Sequence, residues 1–108
     1  MPKYLVQVSM NKDGIRNVLS KAKGTGLRAA VTRFAESAGG KLDAYYFAFG
    51  QHDAVAIVDF PDNVSAVALS VAANGSGAVD LAITPLITPE EMDQAVDKSA
   101  TLAVPGQS

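Results

Sequence analysis

The chain has 108 residues, 48% hydrophobic and 19% charged, and a net charge of −2. That suffices for one domain with its own core, on the apolar side of globular composition, and it lacks the basic field of a strong nucleic-acid binder. There is no cysteine, which excludes disulfides, thiolate catalysis and cysteine-based metal sites.

In chain order, KYLVQVS (3–9) reads as a strand with Tyr4, Val6 and Val8 on one face and Leu5 among polar residues on the other. NKDGIRNVLSKAKG (11–24) reads as a short helix stopped by Gly24, after which Thr25 can cap a new one. In LRAAVTRFAESA (27–38), Leu27, Ala30, Val31, Phe34 and Ala38 fall at helical spacing, and Gly39-Gly40 ends the helix. KLDAYYFAFG (41–50) is a strand with Tyr45, Phe47 and Phe49 expected on one face and Leu42, Ala44, Tyr46 and Ala48 on the other. DAVAIVDF (53–60) is almost continuously apolar, as a strand buried on both faces would be, and lies close enough to pair with 41–50 as an antiparallel hairpin.

PDNVSAVALSVAANGSG (61–77) is a helix capped by Asp62, with no charge from Asn63 through Val79. A helix without a charged face is expected to be covered on more than one side. NGSG (74–77) follows a helix, whereas anion-binding glycine loops precede one, so it reads as a helix stop. AVDLAITPLI (78–87) is a fourth strand. Thr88, Pro89 and Glu91 then open a last helix with a capping box. Residues 1–99 are expected to form one domain and 100–108 a tail. MPKYLVQVSM has only a short apolar run, so no signal peptide or membrane span is expected, and the default location is the cytoplasm.

Strand, helix, strand, strand, helix, strand and a final helix make the split β-α-β pattern, an α+β ferredoxin-like fold. Four antiparallel strands would carry helices on one face. The other face is not polar enough to stay wet, and a second copy of the sheet is its simplest cover, giving a two-fold homodimer or a larger assembly. Residues 1–49 hold eight Lys/Arg and three Asp/Glu, whereas 50–108 hold one and eight. Scattered charges of this kind fit attraction between two halves of one fold, or between subunits, better than a nucleic-acid patch.

The hairpin YYFAFGQHDAVAIVDFPD, the segment ITPLITPEEM and the opening MPKYLVQVS resemble the GYD domain family over roughly residues 2–98. That family is named for a Gly-x-Tyr-Asp pattern. Gly50 and Asp53 match it, and His52 stands where tyrosine is usual. The resemblance implies the dimeric α/β-barrel group of ferredoxin-like folds, which includes monooxygenases, isomerases, decarboxylating enzymes and non-catalytic regulators. The family has no well-established activity, so the resemblance implies a fold far more than a function.

The candidate site residues centre on that hairpin. His52, the only histidine, and Asp53 are neighbours on a strand and point to opposite faces, so they are badly placed to act as base and orienting partner. The structural reading makes Gly50 and Asp53 turn residues, with Asp53 bonding local backbone N–H groups and His52 at the hairpin tip or a dimer contact. The functional reading has His52 reaching into a pocket with Tyr4 or Tyr46 to hold a small organic ligand. No cofactor is expected. Nor is a metal site: Asp53, Asp59 and Asp80 lie on different elements.

Arg16, Lys21, Lys23, Arg28 and Arg33 read as a solvated basic face, with an anionic ligand or partner as a minor alternative. Three functions follow: a non-catalytic oligomeric module that binds a ligand or partner; an enzyme of the monooxygenase or isomerase type, with a small organic substrate in a closed apolar cavity between sheet and helices and His52 or a tyrosine at its wall; and a nucleic-acid binder through the sheet aromatics. Membrane association is not expected.

Overall fold

The computed structural model describes residues 1–48 and 50–106. The expected place of Phe49 on the second strand and the last two residues of the tail lie outside them. Strand β1 (Lys3–Met10) is followed by a helical turn α1 (Lys12–Gly14), a π-helical stretch (Ile15–Leu19) and α2 (Ser20–Ser37). The hairpin β2 (Lys41–Phe47) and β3 (Ala54–Asp59), helix α3 (Asn63–Gly75), strand β4 (Val79–Pro85) and helix α4 (Pro89–Ser99) complete the chain. The sheet is antiparallel throughout, in the order β2-β3-β1-β4. This is the α+β ferredoxin-like arrangement, with the helices of the βαββαβ unit on one face.

Alternation sorts the strands as the pattern required. Tyr4 and Val6 of β1 and Ala54, Ala56 and Val58 of β3 are buried under the helices. They join Ala35, Phe60, Ala66 and Leu69 in one core. The Tyr4 ring meets Phe60 edge-on at 5.4 Å, and its hydroxyl bonds Asn63 Oδ1 at 2.5 Å, fastening the start of α3 to β1.

Three local features depart from the periodic reading. The first is in β2. A register shift between Leu42 and Ala44 makes Asp43 an extra residue, so Leu42 pairs with Val58 and Tyr45 with Ala56. Leu42 therefore shares the helix-covered face with Tyr45 and Phe47, not the face of Ala44 and Tyr46. The bulged Asp43 meets a cation: Lys3 Nζ lies 3.0 Å from Asp43 Oδ2 and 3.0 Å from Asp59 Oδ1. These carboxylates, Asp43 foremost, hold the Lys3 ammonium above its usual pKa.

The second is the break in the first helical segment. It falls at Lys23, one residue before Gly24, with φ 59° and ψ −173°. That backbone region is essentially reserved for glycine and strains other residues by about 1–3 kcal/mol. Lys23→Gly is therefore expected to raise stability by about 1 kcal/mol in urea unfolding; a lower midpoint at unchanged slope would contradict the strain. The third is Asn11. Its side chain accepts from Gly14 N–H at 2.8 Å and donates to the Gly77 carbonyl, tying α1 to the lead-in of β4.

Other signals act where they were expected. Gly39 ends α2 with φ 78°. Gly40 admits the end of β3, since a Cβ there would lie 2.6 Å from the Asp59 carbonyl oxygen. Asp62 caps α3 by accepting from Ser65 N–H at 2.8 Å, and this bond lowers the carboxyl pKa. At the other end of α3, the Asn74 side chain both accepts from Leu81 N–H and donates to Leu81 O, serving the outer edge of β4 in place of a further strand.

Candidate functional site

The helix layer is not closed. α2 packs on β2 and α3 packs on β4, so the helices stand apart above the two central strands. Between them lies an apolar cleft of about 420 Å³. Its floor is Val6 and Val8 of β1 with Ala56 and Val58 of β3, and its walls include Val31 and Phe34 of α2 with Leu69 and Ala73 of α3. Small side chains make the space: Ala35, Ala56, Ala72, Ala73 and Ala78 all line it. The only side-chain polar groups on its lining, among the described residues, are the hydroxyls of Tyr45 and Ser76. Burial raises the pKa of the Tyr45 phenol, so it faces the cleft as a neutral group at ordinary pH.

The residues singled out at the hairpin do not meet there. His52 Nδ1 lies 3.4 Å from Ser9 Oγ, and Ser9 belongs to the face of the sheet away from the helices. Asp53 Oδ2 instead accepts from Met10 N–H at 2.7 Å, while Asp53 N–H donates to Val8 O. Its carboxylate thus secures the end of β1, 43 residues away in sequence, rather than a local turn. Around Gly50 a Cβ would find open space. Tyr4 is in the core beneath α3, and Tyr46 is 72% exposed on the open sheet face. His52, Tyr4 and Tyr46 therefore share no cavity.

The sheet aromatics are also divided. Tyr45 and Phe47 pack edge-on at 5.2 Å on the helix side, where Phe47 comes close to Gly24. Among the described residues, only Tyr46 of this set faces outward on the open sheet. A stacking platform for nucleobases needs several such rings side by side.

The open sheet face has an apolar centre of Leu5, Ala44, Val55 and Ile57, bordered by Gln7, Asp80 and Thr84. Ile57 sits opposite Leu5 and Ala44, and Val55 opposite Gln7 and Tyr46. The Lys3 ion pairs close one end of this face, and Ser9 with His52 the other. Among the described residues no three carboxylates or imidazoles come together in a group able to hold a metal ion. None of their helices is long and apolar enough to cross a membrane.

The sequence model of the GYD domain matches residues 4–96. The chain belongs to the GYD domain family. No curated protein and no solved structure matches it. Membership covers both halves of the sheet, all the cleft-lining residues and most of α4. In this GYD domain, then, Asp53 of the hairpin is tied to the end of β1, and the apolar cleft lies elsewhere, between the helices.

A pocket between sheet and helices was expected from the sequence only as part of the enzymatic reading; its lining was not, because each of its apolar residues reads individually as core. The available signal was the abundance of alanine on α2, α3 and β3, which leaves facing positions too small to fill the layer.

Proposed function

We propose that this GYD domain is a self-associating binding module without chemistry of its own. Two copies pair through their open sheet faces, and the cleft in the helix layer receives an apolar group, from a small organic ligand or from a partner chain. The composition of the cleft carries the reading. A site of this volume is in the range used for small-molecule binding, and its wall offers apolar contact without a carboxylate, imidazole, ammonium or guanidinium group. Of the side chains that serve in general acid–base catalysis, the lining among the described residues holds only the Tyr45 phenol, whose pKa burial raises.

The enzymatic alternative, of the monooxygenase or isomerase type, rests on a cavity with His52 or a tyrosine at its wall. His52 pairs with Ser9 beside the open sheet face, away from the cleft, and the tyrosine on the cleft lining is Tyr45. The apolar centre of the open face, Leu5, Ala44, Val55 and Ile57, supports the sheet-to-sheet pairing.

Val31→Trp tests the cleft by filling it from the α2 wall. An apolar naphthalene dye is expected to bind the parent chain at sub-micromolar protein concentration and to lose roughly tenfold or more in affinity to the variant. That loss is the scale of about 1.4 kcal/mol of removed contact. Far-UV circular dichroism should be unchanged. Equal dye binding by parent and variant would remove the cleft as the binding site.

A further inference from the structure

A second recess opens at the end of the sheet where β1 finishes and the hairpin turns. It holds about 340 Å³, within the range of small-molecule sites. Met10 of β1, Ile15 and Leu19 of the π-helical stretch, Gly24 of α2 and Phe47 of β2 line it together with Asp53. Among the described residues on this lining, Asp53 carries the only charge. The cleft between the helices takes Gly14 and Val18 from the same stretch of chain, and the two linings share only Met10. The π-helical stretch thus stands between two separate spaces.

The polar groups of Asp53 are spent within the fold, save one. Its N–H donates to Val8 O, and its backbone carbonyl accepts from Ala48 N–H. Oδ2 accepts from Met10 N–H at 2.7 Å. Oδ1 has neither a hydrogen bond nor a cation against it among the described residues, whose ion pairs are those of Lys3 with Asp43 and Asp59. The residue is half-buried, so aliphatic and aromatic side chains replace part of the water that would solvate its charge. A cationic donor restores what is lost, through a charge-assisted hydrogen bond. An anion is repelled.

The backbone around the recess is irregular. Ile15–Leu19 is π-helical, a conformation that is rare and recurs at functional sites. Lys23, strained at φ 59° and ψ −173°, immediately precedes the lining residue Gly24. Gly24 itself serves close approach: a Cβ there would lie 3.3 Å from Phe47 Cε2. The chain is therefore pressed onto the Phe47 ring at Gly24, and the break falls on the residue before it. Strain of this kind persists where the surrounding structure over-determines it, and it clusters at ligand clamps.

We infer that this recess binds a small primary ammonium compound, with the ammonium group on Asp53 and an apolar body against Ile15, Leu19 and Phe47. The site is distinct from the cleft between α2 and α3 and does not depend on it.

Two probes of nearly equal shape, phenethylammonium and phenethyl alcohol, are titrated into the isotope-labelled full chain at one ionic strength. The amide resonances of Met10, Gly24 and Ala48 report the recess by nuclear magnetic resonance. Phenethylammonium is expected to bind roughly tenfold tighter than the alcohol. Asp53→Asn keeps an acceptor for Met10 N–H and removes the charge, so it should bring the two probes to equal affinity without moving the urea midpoint. Leu19→Trp, which fills the recess and leaves Asp53 in place, should weaken phenethylammonium by a similar factor. Val31→Trp, in the cleft, should leave it unchanged. No amide shift at millimolar probe, equal binding of both probes by the parent, or an ammonium preference that survives Asp53→Asn would overturn the proposal. Where Asp53→Asn does not fold, undiminished binding by Leu19→Trp overturns it alone. Binding lost with Val31→Trp and kept with Leu19→Trp would place the probe in the cleft, overturning the recess and upholding the cleft.

Discussion

Phe60→Ala is expected to destabilise the domain by about 3–5 kcal/mol, a large part of the about 5–15 kcal/mol typical of a whole domain. Phe60 is 0% exposed and the largest fully buried side chain. Its surroundings cannot relax to fill the space. Ala35, Ala56 and Ala66, members of the same core, have no longer rotamer to offer. Gly40 is already so close that even a Cβ there would lie 2.9 Å from Phe60 Cδ1. The Tyr4 ring, edge-on to Phe60, is held by its hydrogen bond to Asn63. Moving that ring inward would release the start of α3. Truncation therefore leaves a cavity, and its cost adds to the lost transfer energy of the ring.

Phe60→Leu, which keeps most of the volume, should lose less than half as much. Urea unfolding of both variants at unchanged slope is the measurement. A loss below about 1 kcal/mol for the alanine variant would mean that the helix layer closes down over the site.

The order of elements and their core faces were legible because they depend on period and caps, which are local. Alternation in KYLVQVS placed Tyr4 and Val6 in the core. Thr88 with Glu91 and Asp62 with Ser65 are caps written within four residues of sequence. What escaped depends on distant partners. The bulge at Asp43 is set by pairing with β3 and by the Lys3 ammonium, 40 residues away, and it moves Leu42 to the opposite face. The break at Lys23 goes against residue preference, since a glycine stood next to it and does not carry the break. The bond from Met10 N–H to Asp53 likewise joins residues that no short-range pattern connects.

The lining and open shape of the cleft escaped for another reason. Periodicity reports which residues turn inward, but not whether opposing residues are large enough to meet. The alanines of α2 and α3 satisfy the pattern and leave the space open.

Ile57→Glu is expected to turn the proposed sheet-paired dimer into a folded monomer. Ile57 lies on the face of β3 opposite to Ala56 and Val58, which belong to the core. Its partners across the strands are Leu5 on β1 and Ala44 on β2. A carboxylate there leaves the helix-side core untouched, so the monomer should keep its stability within about 0.5 kcal/mol, as surface substitutions do. In a sheet-to-sheet dimer the same carboxylate would be buried near the two-fold axis, facing its own copy. Burying a charge without a partner costs about 2–5 kcal/mol at an interface, which weakens association by roughly thirtyfold to several thousandfold.

Sedimentation velocity over a range of concentrations separates the outcomes. A monomer with parent-like circular dichroism and unfolding midpoint supports the open face as the interface. A folded variant that associates as tightly as the parent defeats it. Loss of folding would mean that Ile57 supports the sheet itself, and Val55→Lys then serves as the second probe. Val55 sits on the same face, opposite Gln7 and Tyr46, where a long flexible side chain can keep its charge in water in the monomer but not between two sheets.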